Sequence, residues 1–300
     1  MNYSNMIKTE DTDSMYQAWE GYRKELTSYI CKALKTYCKR KSWIAIWGAG
    51  GCNDIDIREL SVDYKLLLID RDVEKLIQVR NRLGLNDKEC KVADLEFWNI
   101  ADEDYEMFQA LLMDGADTDE IQSYFDDLIH NMITPINLEE YSVEGSVVVG
   151  LASQLNARFA AMVHLHRERI SDTRMEELTD MLDNMNQLAT EKLFISVRQI
   201  TNKILITGYE TCGCSSEEDA IEECNRLKEC FEKGLDDGYY LSGNEANYIK
   251  VAGNDYWHRF LYNAVLMDKV EEAGLIQVIN WPFLSNKNYP MLLLSLILRK

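Results

Sequence analysis

Proline is scarce in this 300-residue chain, with 3 in total, and no Gly/Ser-rich or low-complexity tract interrupts it. The sequence therefore offers no candidate flexible linker, and it has no internal repeat. The length is enough to bury a sizeable core, although it is long for one domain and short for two full ones.

Basic residues are fewer than acidic ones, with 32 Lys and Arg against 51 Asp and Glu, so the formal net charge is -19 at pH 7. The longest basic run is Lys39–Lys41, which is typical of a helix C-terminus where cations offset the helix dipole. A surface this acidic repels phosphate backbones, so we expect no nucleic-acid partner. A small molecule, cationic or neutral, or a protein remains as the expected partner.

Long apolar runs are missing too. The first residues, 1–13, are polar and acidic, and the last apolar run, 291–298, is too short to span a bilayer. We therefore expect no membrane partner and a cytoplasmic location, with the 8 cysteines present as reduced thiols. No Cys-x-x-Cys pair occurs, and Cys224 and Cys230 are six positions apart on a predicted helix, so no metal site is expected.

Short apolar segments alternate with helical patterns along most of the chain. This alternation predicts an α/β fold with a Rossmann-like, mostly parallel seven-stranded sheet and helices on both faces. The last two segments are separated by a turn, which indicates an antiparallel C-terminal hairpin. The predicted strands are 43–47, 65–69, 91–93, 146–151, 204–207, 276–281 and 291–298.

Apolar residues at helical spacing predict helices between these strands. A pair formed by Ser215 and Glu218 is typical of a capping box at the start of one of them. We divide the chain into an N-terminal helical extension, 1–42, and one domain, 43–300, with helical insertions near 99–135 and 213–238. The predicted helices cover 14–38, 56–60, 73–83, two segments within 99–135, a stretch including 175–188, 216–233 and 256–272.

The segment with the clearest chemical signal runs from Ile44 to Asp54, where a buried strand enters a Gly-Ala-Gly turn. Glycine at Gly48 and Gly50 would let a cofactor approach the backbone closely. Asp70 ends the second strand and Asp94 ends the third. Because the carboxyl ends of parallel strands line one crevice, we expect the turn and both aspartates to converge.

The same segment argues against a nicotinamide dinucleotide. Asn53 occupies the position where a dinucleotide turn usually has its third glycine, and Asp54 follows directly. Carboxylates beside the turn would repel a pyrophosphate, whereas they would suit the ammonium and sulfonium groups of S-adenosylmethionine.

On these residues the chain resembles class I S-adenosylmethionine-dependent methyltransferases. The Gly-Ala-Gly-x-Cys-Asn-Asp loop is similar to that of a bacterial, largely uncharacterised group of them, and the resemblance runs from about Trp43 to Lys300. It implies that Asp70 binds the ribose, and that Asp94 and Leu95 hold the adenine. It further implies that the stretch after strand four, with Leu151 and Ser153, faces the methionine moiety and the acceptor. The cofactor-binding residues so implied are Gly48, Ala49, Gly50, Asn53, Asp54, Asp70, Arg71, Asp94, Leu95, Leu151 and Ser153.

The chain departs from the family at one position. Many members carry an acidic residue two positions before the first glycine, where this sequence has Ile46. Asp54 or Asp56 would then supply the charge.

Catalytic residues are not identified, since no Ser/His/Asp or Cys/His set is readable. His164 and His166 could provide a base, but ordinary helix positions are the favoured interpretation. Aromatic residues near the N-terminus could form a lid over an acceptor, but core packing is favoured by their helical spacing. These are Tyr3, Tyr16, Trp19 and Tyr22.

The sequence therefore predicts an S-adenosylmethionine-dependent methyltransferase acting on a small molecule or a protein. The alternative is a non-catalytic module of the same fold that binds an adenosyl ligand. A Rossmann enzyme with a nicotinamide cofactor is the third hypothesis, disfavoured by Asn53 and Asp54.

Overall fold

The computed structural model describes residues 16–94, 100–131, 141–211, 213–235, 270–284 and 287–299. In this part of the chain, no helix has the length and apolar character needed to cross a membrane.

Seven strands form one sheet in the order β3-β2-β1-β4-β5-β7-β6. Strands β1 to β5 are parallel to one another, whereas β7 pairs antiparallel with both β5 and β6. The predicted sheet with its antiparallel C-terminal hairpin is thus confirmed, and β7 lies between β5 and β6. The strands are β1 (Trp43–Trp47), β2 (Lys65–Asp70), β3 (Cys90–Asp94), β4 (Val143–Val149), β5 (Thr201–Glu210), β6 (Val270–Leu284) and β7 (Lys287–Leu298).

Eight α-helices surround the sheet in the described ranges. They are α1 (Glu20–Tyr37), α2 (Ile57–Asp63), α3 (Val73–Leu83), α4 (Asp102–Asp114), α5 (Thr118–Asn131), α6 (Ala157–Leu165), α7 (Asp172–Ile200) and α8 (Glu217–Leu235). Single turns of 3-10 helix occur at Ala152–Gln154 and Arg167–Arg169.

The sheet separates two apolar cores, as expected when helices cover both faces. Alternate residues of β1 enter different cores: Ile44 and Ile46 pack on one face, Ala45 and Trp47 on the other. The first core takes its helical residues from α1, α2 and α3, whereas the second takes them from α4 to α8. Helices on both faces, as predicted, are therefore observed.

Strand β6 corrects one prediction. It begins at Val270, so residues 270–272, predicted as the end of a helix, belong to a strand instead. Glu271, Glu272 and Ala273 favour helices intrinsically, but pairing with β7 overrides that preference. The rest of the predicted helix, 256–269, lies outside the described residues.

The start of α8 corrects another. The side chain of Ser216, not Ser215, accepts the amide hydrogen of Asp219, at 3.1 Å. The helix therefore begins one residue later than predicted, and Asp219 takes the position that the capping box assigned to Glu218.

Candidate functional site

The Gly-Ala-Gly turn after β1 uses backbone conformations that favour glycine. Gly48 has φ +67° and Gly50 has φ +48°, both in the left-handed region. The amides of Gly48 and Ala49 both donate to the carbonyl of Ile69, at 2.8 and 3.2 Å. These bonds hold the turn against the end of β2, where Asp70 follows.

The two glycines differ in what surrounds their missing side chains. A Cβ on Gly48 would lie 2.8 Å from Cδ1 of Leu151, so Gly48 makes room for that residue of the segment after β4. A Cβ on Gly50 would meet nothing closer than 4.0 Å, the nearest atoms being Oδ2 of Asp70 and the carbonyl oxygen of Gly48. The point at which a ligand can approach the backbone closely is therefore Gly50.

Asp70 is fixed beside that open point. Its Oδ2 accepts the amide hydrogen of Gly50 at 2.8 Å, and its Oδ1 accepts that of Asp72 at 3.0 Å. Each carboxylate oxygen has two lone pairs, so both oxygens retain acceptor capacity for a ligand hydroxyl. The side chain is half-buried, which leaves it reachable from solvent.

The structure brings Asp70 and Asp94 together. They are register partners at the ends of β2 and β3, so their side chains lie on the same face of the sheet. Asp94 is exposed, as is Arg71. Leu95 lies outside the described residues, and Ser153 belongs to the 3-10 turn that follows β4.

Asp54 is a half-buried acidic residue of the loop. Burial raises the pKa of its carboxyl group to about 6, although hydrogen bonds from its own and the next backbone amide and the charge of Arg23 act in the opposite direction. Asp56 is used locally instead, because its carboxylate caps α2 by accepting the amide hydrogen of Glu59 at 3.0 Å. Ile46, at the family's acidic position, is buried in the apolar core. Of the two acids that the sequence left open, Asp56 is thus a helix cap and Asp54 is not.

Arg23 of α1 connects the N-terminal part of the chain to this loop, a role that no sequence pattern indicates. Its Nη1 donates to the carbonyl of Asn53 and to that of Tyr16, at 2.8 Å each. The guanidinium also stacks on the Tyr16 ring, 3.7 Å from the ring centroid. The residue is 7% exposed, so these contacts are largely shielded from water.

An aromatic cluster joins α1 to the C-terminal hairpin next to the loop. Tyr22 stacks on Trp281 with ring centroids 5.6 Å apart, and Trp19 meets Trp281 edge-on at 5.3 Å. The indole N–H of Trp19 donates to the carbonyl of Pro282 at 2.7 Å. Phe283 and Tyr289 complete the cluster. Trp19 and Tyr22 therefore do pack on the body of the protein, as favoured, but beside the candidate site; Tyr3 lies outside the described residues.

Glu210, at the end of β5, belongs to the same region and was missed by sequence reasoning. Its Oε1 lies 3.7 Å from where a Cβ on Gly150 would be, and Cζ3 of Trp281 lies 3.7 Å from the same point. Burial and then the charges of Asp54 and Glu210 raise the pKa of the Tyr22 phenol well above its ordinary value.

The histidines and cysteines stand apart from this arrangement. His164 and His166 lie at the end of α6 that is remote from the segment after β4. Burial raises the pKa of the Cys52 thiol above its ordinary value, which leaves it a neutral packing residue. Within the described ranges, no three His, Cys, Asp or Glu side chains are grouped closely enough to hold a metal ion. Cys212 lies outside those ranges.

No family model and no curated protein matches the chain. Solved structures do. The chain is similar to an S-adenosylmethionine-dependent methyltransferase from Aquifex aeolicus, at 14% identity and a TM-score of 0.38, covering 97% of this chain and 100% of that one. It is similar to the N-methyltransferase NodS from Bradyrhizobium japonicum in complex with S-adenosyl-L-homocysteine, at 11% identity and a TM-score of 0.36, covering 95% and 99%. A methyltransferase from Methanosarcina mazei matches at 10% identity and a TM-score of 0.39, covering 88% and 95%.

The site's own geometry defines what it can hold. An open backbone bend, a fixed carboxylate and a second carboxylate one strand away meet at the carboxyl ends of parallel strands, where α/β sheets bind ligands. The strand order differs from the 3-2-1-4-5-6 order of dinucleotide-binding folds, because the antiparallel β7 is inserted between β5 and β6. The order does agree with the hairpin arrangement that the resemblance implies.

Proposed function

We propose that this protein is an S-adenosylmethionine-dependent methyltransferase acting on a small-molecule or protein acceptor. The observation that carries the proposal is the position of Asp70. Its carboxylate is fixed by Gly50 at 2.8 Å and lies beside the point where the backbone is open to a ligand. A carboxylate so placed can accept both hydroxyl groups of a ribose. The sheet topology and the absence of a third glycine support the same proposal.

The proposed binding roles follow the order of the strands. Asp70, with Arg71 beside it, would bind the ribose, and Asp94 with Leu95 would hold the adenine. Asp54 would accept the ammonium group of the methionine moiety, next to Asn53. The turn Gly48–Gly50 would lie beneath the ligand, and Leu151 and Ser153 would face the methyl group.

We further propose that the chain belongs to the bacterial group with the Gly-Ala-Gly-x-Cys-Asn-Asp loop. In that assignment, 43–300 form the methyltransferase domain, with helical insertions near 99–135 and 213–238, and 1–42 form an extension. Arg23 and Tyr22 support a role for the extension in completing the site, because both belong to α1, and Arg23 contacts the loop while Tyr22 contacts the hairpin.

S-adenosylmethionine, when bound, supplies a methyl group already activated by a sulfonium. The residues of the chain then contribute alignment and exclusion of water. Asp70 would fix the position of the adenosyl end by its hydrogen bonds. Trp19, Tyr22 and Trp281 would shield the opposite end from solvent, since Trp281 lies beside Gly150 at the end of β4 and the other two rings pack on it.

Isothermal titration calorimetry with S-adenosylhomocysteine, S-adenosylmethionine and NAD tests the proposal. We expect both adenosyl ligands to bind with 1:1 stoichiometry and NAD to give no heat of binding. Binding of NAD alone would overturn the proposal in favour of a nicotinamide enzyme.

The same preparation separates the enzyme from the non-catalytic module. Incubation with methyl-labelled S-adenosylmethionine and a cell extract should transfer label to an acceptor. Tight adenosyl binding without labelling in any extract fraction would favour the module. Two observations favour that alternative. Ile46 stands where many family members have an acid, and no catalytic base is identified.

A further inference from the structure

The loop that follows β1 contains two backbone conformations that favour glycine, and only one of them is at a glycine. Gly50 has φ +48°, and Cys52 has φ +53°. A residue with a side chain stays in the left-handed region only when the surrounding structure holds it there. The contacts that hold this loop therefore decide whether it keeps its shape before a ligand binds.

The first part of the loop is held by the sheet. Main-chain amides of the Gly-Ala-Gly turn donate to the carbonyl of Ile69 and to Oδ2 of Asp70, which fixes the turn against the end of β2. The amide of Cys52 donates back to the carbonyl of Ala49 at 2.7 Å. These bonds do not reach residues 53–56, the last part of the loop before α2.

Residues 53–56 are held from α1, which precedes the sheet in sequence. Arg23 Nη1 donates to the carbonyl of Asn53 at 2.8 Å. Thr27 Oγ1 accepts the amide hydrogen of Asp56 at 2.9 Å. The two contacts thus lie on either side of Asp54 in sequence. Because Arg23 and Thr27 are four positions apart, they lie on the same face of the helix, one turn from each other.

Both side chains are buried, among apolar residues of α1 such as Leu26 and Ile30. Arginine is rarely buried unless it is paired, and the partners of Arg23 are main-chain carbonyls. Thr27 likewise bonds a main-chain group of the loop. Bonds to main-chain atoms specify the path of the backbone, so α1 determines the conformation of residues 53–56.

We propose that Arg23 and Thr27 are positioning residues for the adenosyl ligand. They hold residues 53–56 in the conformation that binds it, so the ligand meets a loop that is already ordered. The inference rests on the proposed methyltransferase function and adds two residues of α1 that act on the ligand through the loop.

Loss of either contact transfers the cost of ordering the loop to the binding step. If the binding conformation is then populated about one-tenth of the time, affinity for the ligand falls by about tenfold. A contact with a structural role alone would lower the free energy of unfolding and leave the affinity of the folded protein unchanged. Affinity measured on folded protein therefore separates the two roles.

The first test compares Thr27→Val with Thr27→Ser in the full-length protein. Valine has nearly the shape of threonine but cannot accept the Asp56 amide hydrogen, whereas serine keeps the hydroxyl group and loses the buried methyl group. Calorimetry with S-adenosylhomocysteine should show about tenfold weaker binding for Thr27→Val and a change below about twofold for Thr27→Ser. Thr36→Val is the matched control, because the exposed Thr36 hydroxyl donates to the carbonyl of Lys32 within α1, and it should bind as the parent does.

Arg23→Gln tests the other contact in the same way, with Lys24→Gln at the next, exposed position as its control. We expect Arg23→Gln to weaken binding of S-adenosylhomocysteine and Lys24→Gln to leave it unchanged. The nearly isosteric Thr27→Val serves if Arg23→Gln does not fold.

Hydrogen–deuterium exchange of the main-chain amides in 53–56 reports on the loop without any ligand. These amides should exchange slowly in the unliganded parent and faster in unliganded Thr27→Val. Saturating S-adenosylhomocysteine should restore slow exchange in the variant, because the ligand then orders the loop on binding.

An affinity within twofold of the parent in both Thr27→Val and Arg23→Gln would overturn the inference, and so would an equal loss of affinity in Thr36→Val. Equal exchange of residues 53–56 in the unliganded parent and Thr27→Val would also contradict it. These results leave the proposed function intact if the parent binds S-adenosylhomocysteine. Failure of the parent to bind that ligand would instead overturn the proposed function, on which the inference rests.

Discussion

The guanidinium of Arg23 lies between two main-chain carbonyl groups, that of Tyr16 and that of Asn53, at 2.8 Å from each. The first belongs to the segment before α1 and the second to the loop that follows β1. Arg23 therefore ties the N-terminal helix to the proposed ligand loop. Its charge also lowers the pKa of the neighbouring Asp54 carboxyl against the effect of burial.

Replacing Arg23 by Gln should loosen the loop and destabilise the fold by about 1–3 kcal/mol, because buried charge-assisted hydrogen bonds are lost. The free energy of unfolding from urea denaturation measures this effect. Lys24→Gln removes the same charge from the next, exposed residue and should change stability by less than about 0.5 kcal/mol. Equal effects of the two substitutions would show that the Arg23 contacts contribute nothing.

The carboxyl group of Asp54 should make stability depend on pH in the acidic range. Its folded pKa of about 6 exceeds the ordinary value of 3.8, so the folded state holds the proton more tightly than the unfolded state. Asp54 therefore lowers stability as pH rises from about 4 to about 6, by roughly 2–3 kcal/mol in total. Asp54→Asn should abolish this loss and be more stable than the parent at pH 7.

Urea denaturation of both proteins at pH 4 and pH 7 measures the difference. Other titrating groups are common to the two proteins and cancel when their stabilities are compared. A stability difference that stays constant between the two pH values would show that the Asp54 carboxyl titrates normally.

Gly48 should tolerate alanine less well than a glycine with a similar backbone conformation in open space. Gly84, at the end of α3, has φ +70°, and no neighbouring group lies within 4 Å of the position that a Cβ would take there. Gly84→Ala therefore reports the conformational cost alone, about 1–2 kcal/mol. Gly48→Ala adds the contact with Leu151 and should cost about 1–3 kcal/mol more.

A double-mutant cycle identifies the source of that extra cost. Leu151→Ala removes the two Cδ atoms that lie nearest to the added methyl group, so it should partly rescue Gly48→Ala. Thermal unfolding of the four proteins gives the coupling energy. If the stability losses of the two single variants simply add up in the double variant, contact with Leu151 is not the reason why Gly48→Ala is destabilising.

Asp70→Asn should weaken binding of S-adenosylhomocysteine by about tenfold to a hundredfold, since a hydrogen bond to a charged acceptor contributes about 1.5–3 kcal/mol. The fold should survive, because Asn retains one oxygen that can accept the Gly50 amide hydrogen. Asp72→Asn, two residues further on, makes the same charge change at the N-cap of α3, where Asn is equally suitable. Calorimetry on both variants should show a loss for Asp70→Asn only.

The fold was predictable where hydrophobic pattern and secondary structure agree. Strand β1 was predicted with its observed bounds, Trp43–Trp47, because a five-residue apolar run before a glycine has few other interpretations. The ends of β5 were not, since Thr201–Glu210 begins directly after α7 and continues through polar residues. The start of β6 was predicted wrongly, because only its pairing with β7 makes residues 270–272 extended.

The site was predictable to the extent that it follows strand ends. Asp70 and Asp94 were selected as candidates in this way, and the structure places them in register. Glu210 obeys the same rule, but the predicted β5 stopped at Thr207, so the acid at its true end was overlooked. Arg23 and Trp281 could not be found from local pattern, since their contacts join segments that are far apart in sequence.

The insertion of β7 between β5 and β6 has a consequence for synthesis of the protein on the ribosome. β5 and β6 emerge before β7, and in the finished sheet they do not pair with each other. The edge of β5 that pairs with β7 therefore stays unpaired until translation has passed residue 298. The aromatic cluster around Trp281 is also incomplete until then, because Trp281 pairs with Tyr289 of β7. The sheet and the aromatic cluster beside it are therefore complete only after β7 has been synthesised.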